Sequence, residues 1–284
     1  NMAIKIITDS ACDITKKMEQ KCGVEIIPLQ VDLDGNLLKD REDITPLEVY
    51  EKMRSGAVPK TSLVLSDRLL DIITSHAKAG DEVIYLSFSG ALSGSYNLAK
   101  LTAEDVCAEY PDFKIEVIDT KCASFGQGMV VMLACDALEK GMAYDDIVAK
   151  VRDWSDNMEH IFTVDDLEYL HRGGRVSKTS KVLGGLLGIK PVLHVSDEGK
   201  LVPLEKCRGQ KKTLARMVDM MGELNPDIAN ETVGIIHADS AEVAEGVRQM
   251  IADKYGCKDF LMSELGAVIG AHAGPGTIAI FFLS

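Results

Sequence analysis

Apolar positions fall in short runs separated by polar turns or by helical spacing. Residues 3–7 (Ala-Ile-Lys-Ile-Ile) form an apolar run that stops at Thr8-Asp9-Ser10, turn and capping residues that lead into a polar helical stretch. The same grammar recurs over residues 82–88, a strand pattern, 89–94, a loop, and 95–109, with apolar residues at helical spacing. Residues 115–118 predict another strand. A helix over about 124–139 follows, with Gly141 just past its end as a stop signal. Strands alternating with helices imply a mainly parallel sheet covered on both faces.

Around residues 156–161 the pattern changes. The segment Phe162-Thr-Val-Asp-Asp-Leu-Glu-Tyr-Leu-His-Arg-Gly-Gly-Arg175 reads as strand end, short helix and glycine stop, which places a domain boundary there, between 1–160 and 161–284. Residues 192–195 and 201–204 flank Ser196-Asp-Glu-Gly-Lys200, a hairpin signal foreign to a purely parallel sheet. The second domain is therefore expected to be mixed α+β, continuing with helix 209–224, strand 233–237, helix 240–255, strand 259–263 and a closing strand 277–283.

Length and composition narrow the function. At 284 residues two domains are the expectation, and 46% hydrophobic with 26% charged residues is ordinary globular chemistry. A net charge of −13 argues against nucleic acid as a partner. Apolar stretches are too short to cross a bilayer, and residues 1–10 lack the sections of a secretory signal, so the chain reads as cytoplasmic. Seven scattered cysteines with no C-x-x-C pair read as reduced thiols, supporting neither a disulfide framework nor a metal site.

Four segments could carry chemistry. In Ser89-Gly-Ala-Leu-Ser-Gly-Ser-Tyr96, between a strand and a helix, Ser93 and Gly94 sit where unpaired N–H groups could hold a carboxylate or phosphate. Alternatively Ser93 or Ser95 only caps the helix, and the loop lacks the G-x-S-x-G of a nucleophile elbow. Thr61 and Ser62 place two adjacent hydroxyls before an apolar segment, as anion donors or as a turn. His272 stands alone among glycines and alanines in Gly266-Ala-Val-Ile-Gly-Ala-His-Ala-Gly-Pro-Gly276, able to meet an anion, act as base or simply be buried. Arg172 and Arg175, in His171-Arg-Gly-Gly-Arg175, could pair with an anion, and the glycine-rich apolar run 182–189 behind them could admit a ligand chain or pack as core. No nucleotide-binding glycine motif is present.

Taken in order, Thr8-Asp9-Ser10, Thr61-Ser62, the 89–96 loop, Asp166-Leu-Glu-Tyr-Leu-His-Arg-Gly-Gly-Arg175 and Gly270-Ala-His-Ala-Gly-Pro-Gly276 resemble the DegV family of bacterial fatty-acid-binding proteins. The resemblance implies an N-terminal α/β/α domain with a parallel sheet and a C-terminal α/β domain with a mixed sheet. It also implies one long-chain fatty acid as ligand and no other cofactor. The carboxylate would be held by the residues matching the family's, Thr61 and Ser93, with His272 close by. In many Gram-positive bacteria such proteins present the acid to a separate fatty acid kinase that feeds phospholipid synthesis, so the resemblance implies a carrier and not an enzyme. A second resemblance, to the substrate domains of dihydroxyacetone kinases, implies instead an enzyme with a short polar pocket, using His272 on a small carbonyl compound.

Charge placement adds a feature of its own. Residues 171–216 hold eleven basic groups against three acidic ones, net +8, leaving −21 on the rest. This stretch is either an ordinary solvated face or a docking surface for an acidic partner kinase or an anionic membrane.

Overall fold

The computed structural model describes residues 2–176 and 188–284. The first half runs β1 (Ile4–Asp9), α1 (Lys16–Cys22), β2 (Glu25–Ile27), β3 (Gln30–Leu33), β4 (Asn36–Lys39), α2 (Pro46–Arg54), β5 (Lys60–Ser62) and α3 (Ser66–Ala79). It continues through β6 (Glu82–Ser87), α4 (Ser95–Glu109), β7 (Lys114–Asp119), α5 (Ser124–Glu139) and α6 (Tyr144–Asn157). The second half contributes β8 (Met158–Thr163), α7 (Leu167–Arg172), β9 (Ile189–Val195), β10 (Leu201–Arg208), α8 (Gln210–Leu224) and β11 (Val233–His237). Last come α9 (Ala241–Tyr255), β12 (Phe260–Glu264), α10 (Ala267–Ala273) and β13 (Ile278–Leu283).

The chain is mixed α/β, as the pattern implies. Strands β2-β1-β6-β7 form a four-stranded sheet that is parallel throughout. Strands β10-β9-β8-β13-β11-β12 form a mixed six-stranded sheet, antiparallel except where β11 meets β12. The 196–200 hairpin joins β9 to β10 in antiparallel register. Helices α3 and α4 pack together against the parallel sheet, and α8 and α9 together against the mixed one.

Helix α5 lies between the two sheets, touching β1 and β6 on one side and β8, β11 and β13 on the other. A helix enclosed by sheets over most of its length cannot keep a polar face there. Its residues Phe125, Met129, Val130, Val131 and Ala134 are accordingly buried, and even Gln127 is enclosed. Along β13 the side chains alternate as a two-sided strand requires. Ala279 and Phe281 join the core shared with α5, while Ile278, Ile280 and Phe282 join the core beneath α8 and α9.

A third sheet, β4-β3-β5, is antiparallel and lies outside the strand-helix alternation. Its turn is Asp34-Gly35, both at positive φ, the residue pair that a two-residue hairpin favours. Helix α2 opens with a capping box, in which Thr45 accepts from the Glu48 N–H and Glu48 from the Thr45 N–H, with Pro46 in the first turn.

Candidate functional site

Strand β5 places Thr61 opposite Val31 of β3, and α10 brings His272 to it, with Oγ1 of Thr61 and Nε2 of His272 2.6 Å apart. Glycines make this approach possible. A Cβ on Gly270 would stand 2.5 Å from the hydroxyl of Tyr50, which itself donates to the Leu265 carbonyl, so α10 can press onto α2 only with glycine there. A Cβ on Gly173, just beyond α7, would stand 2.3 Å from Nδ1 of His272. The imidazole is thus clasped between β5 and the end of α7. Burial, reinforced by the nearby Arg175 cation, pushes its pKa down to about 4 and keeps it neutral at ordinary pH.

Ser93 lies in the loop between β6 and α4. Its Oγ donates to Oγ of Ser95 at 2.9 Å and accepts the Ser95 N–H at 3.1 Å. Oγ of Ser95 in turn accepts the Val64 N–H, tying this loop to the segment that follows Thr61-Ser62. Ser93 therefore serves the start of α4 and still lines the cavity described next. Arg175 also reaches the loop: Nε donates to the Leu92 carbonyl at 3.2 Å, and Nη1 to the Gly173 carbonyl.

Thr61, Ser62, Ser93, Gly94, Arg175 and His272 border one cavity. A volume of about 270 Å³ is open there to the centres of water-sized molecules, where one water needs roughly 10–15 Å³. Thr61, Arg175 and His272 also face one neighbouring groove, and Ser93, Gly94 and Arg175 another, so these groups stand where the cavity meets the surface. Arg172 is not brought to it. It borders the neighbouring groove and pairs with Glu168 at 3.6 Å, so the two arginines do not converge on one anion in the cavity.

The rest of the wall is apolar, including Phe88, Phe162, Leu170, Val268 and Phe281. Three polar side chains in it have protein partners. Ser124 donates to Oδ2 of Asp13 at 2.6 Å, and Thr277 to the Gly274 carbonyl at 2.8 Å. His160 accepts the Ala123 N–H on Nε2 and has the Met158 carbonyl at Nδ1, both at 3.1 Å. That pairing requires the neutral tautomer protonated at Nδ1, in agreement with burial, which drives its pKa down to about 4. Sequence reading missed His160, Ser124 and Phe281, which belong to strand and helix patterns with no motif. A lone histidine in the middle of an apolar strand was the one available signal.

Among the described residues no helix is long and apolar enough to cross a membrane, and no group of three or more His, Cys, Asp and Glu is arranged to hold a metal ion. The run 182–187, with Lys178 and Lys181, lies outside the described residues.

The family model described as "Uncharacterised protein, DegV family" matches residues 3–284. The chain belongs to the DegV family. A DegV domain-containing protein of Clostridium perfringens is 40% identical, with 98% of this chain and 96% of the relative covered. Among solved structures, a fatty-acid-binding DegV family protein from Thermus thermophilus superposes with a TM-score of 0.91 at 32% identity, covering 100% of both chains. A fatty acid (stearic acid)-binding protein from Eubacterium ventriosum gives 0.92 at 28% identity, over 99% of this chain and 98% of its own. DegV, a fatty acid binding protein from Bacillus subtilis, gives 0.86 at 28%, over 100% and 99%. The neighbours of this DegV chain in fold are thus fatty-acid-binding proteins.

Proposed function

We propose that this protein binds one long-chain fatty acid, with its tail in the cavity and its carboxylate at Thr61, Ser93 and His272, and presents that carboxylate to a separate fatty acid kinase. The observation that carries the reading is the division of polarity in the cavity. Deep polar groups (Ser124, His160 and Thr277) are already bonded to the protein, whereas hydroxyls and imidazole gather where the cavity meets the surface. Such a wall offers an apolar chain few competing partners along its length and donors at one end.

Neutral His272 suits this role. With the proton on Nε2 it donates to Oγ1 of Thr61, and the Thr61 hydroxyl hydrogen is then directed to a carboxylate oxygen. Ser93 can turn its hydroxyl from Ser95 to the same ligand while still accepting the Ser95 N–H. Arg175 adds a positive charge close to His272. A tail of about 15 methylenes at roughly 0.8 kcal/mol each supplies on the order of 12 kcal/mol before association costs. Hydrogen bonds to a charged group add roughly 1.5–3 kcal/mol each. Burial of the tail therefore sets affinity and the head-group contacts set orientation, which is what phosphoryl transfer to the carboxylate needs. On this reading the protein is a lipid carrier in the supply of phospholipid synthesis and acts through its partner. The rival, a carbonyl-processing enzyme, calls for a short polar pocket, and the largely apolar wall does not favour it.

Binding of a fatty acid and of the alcohol of equal chain length separates head from tail. Thr61→Ala and Ser93→Ala should each weaken the acid by about 10-fold or more and leave the alcohol nearly unchanged, as measured by calorimetric titration. Equal losses for acid and alcohol would remove these residues from the carboxylate site.

A further inference from the structure

Two of the seven cysteines are brought together by the fold although 113 positions separate them. Cys22 is the last residue of α1, and Cys135 lies in α5, against which α1 packs. Cys22 packs against the core to which Cys135 belongs, and the two thiols interact with each other. The pair is asymmetric in access, with Cys22 partly exposed at the helix end and Cys135 buried behind it. We propose that Cys22 and Cys135 form a redox-active dithiol, in which Cys22 reacts with a hydroperoxide and Cys135 then closes an intramolecular disulfide.

The chemistry favours that order of roles. The thiolate is the nucleophile, and the interaction with the Cys135 thiol, helped by the Lys21 cation, brings Cys22 down to about 7, while Cys135 is driven up. The other thiols lack this arrangement: burial raises Cys12, Cys107, Cys122 and Cys257. In the first step the Cys22 thiolate attacks one oxygen of hydrogen peroxide. The O–O bond breaks, and the hydroxide released takes up the proton that Cys22 gave up, leaving Cys22 as a sulfenic acid. In the second step the Cys135 sulfur attacks the Cys22 sulfur. The S–O bond breaks, and hydroxide leaves with the Cys135 proton as water. Two thiols lose two electrons, one peroxide gains two, and two waters form. The product would staple the segment after β1 to the helix that lies between both sheets.

The test uses the full chain, treated with hydrogen peroxide, blocked with an alkylating reagent and mapped as peptides by mass spectrometry. The expected result is a linked pair of peptides carrying Cys22 and Cys135, a whole-chain mass lower by two hydrogens, and full reversal by dithiothreitol. Cys135→Ser should stop at a Cys22 sulfenic acid that dimedone traps, and Cys22→Ser should leave Cys135 reduced under the same treatment. Wild-type protein that keeps all seven thiols, or that links other cysteines in the folded state, overturns the proposal. So does Cys135 oxidation in Cys22→Ser at the wild-type rate.

Discussion

Asp13 shows how much one side chain can couple. It sits at a positive φ of 51° between β1 and α1, accepts the Ser124 hydroxyl, and lends its carbonyl to the hydroxyl of Ser263 on β12 at 2.6 Å. A Cβ on Gly266 would lie 2.1 Å from Oδ1 of Asp13, so that glycine is a condition of the contact. Burial is the main reason the carboxyl titrates near 8, outweighing the Ser124 hydrogen bond that pulls it down. The folded pKa is raised above the ordinary 3.8, so the folded chain holds this proton more tightly than the unfolded one. The stability it contributes is complete below about 3.8 and is lost as pH rises through about 8. Asp13→Asn, which carries no titratable proton, should gain on the wild type by roughly 1–4 kcal/mol between those limits. Urea unfolding at a series of pH values measures the difference. A gap that does not change with pH would mean that Asp13 is ionised in the folded state.

At the scale of elements, legibility followed the length of the pattern. Helix α4 stands at the residues its periodicity indicated, because fifteen positions are enough to separate helical from strand spacing, and α5 stands where the Gly141 stop signal ends it. Strand β5 has three residues, too few for a period, and Thr61-Ser62 could equally have been a turn. The hairpin at Asp34-Gly35 and the capping box at Thr45 are readable local signals, but neither bears on the strand-helix alternation. In the site, Thr61, Ser93 and His272 stood out as polar groups in small-residue contexts. Bringing β5 and α10 together across more than two hundred residues is a tertiary fact, and no local pattern carries it. The inner wall was illegible for the same reason, since Phe88, Phe162 and Phe281 look like any buried aromatic until the sheets are assembled.

Over the whole molecule, the basic stretch is thinned by pairing but not erased. Lys190 meets Asp165, Arg172 meets Glu168, and Arg216 meets Glu205 and Glu223. Lys200, Lys206, Arg208, Lys211 and Lys212 remain exposed on the 196–200 turn, β10 and the start of α8. Lysines in the first turn of a helix face the positive end of its dipole, so reversing them should not harm α8. If this face steers an acidic kinase or an anionic vesicle, Lys211→Glu with Lys212→Glu slows acyl phosphorylation or transfer several-fold at low salt, with the loss shrinking as salt rises. Unaltered rates at low salt would make it an ordinary solvated surface. The proposed division at residue 160 falls inside β8 (Met158–Thr163), and the cavity draws its wall from both sides of that point. What that cavity holds is the central question, and native mass spectrometry of the gently purified protein answers it most directly. The account predicts a species heavier than the bare chain by one long-chain fatty acid, released on denaturation and restored by adding the acid back. A protein that stays at the mass of the bare chain even with excess fatty acid contradicts it.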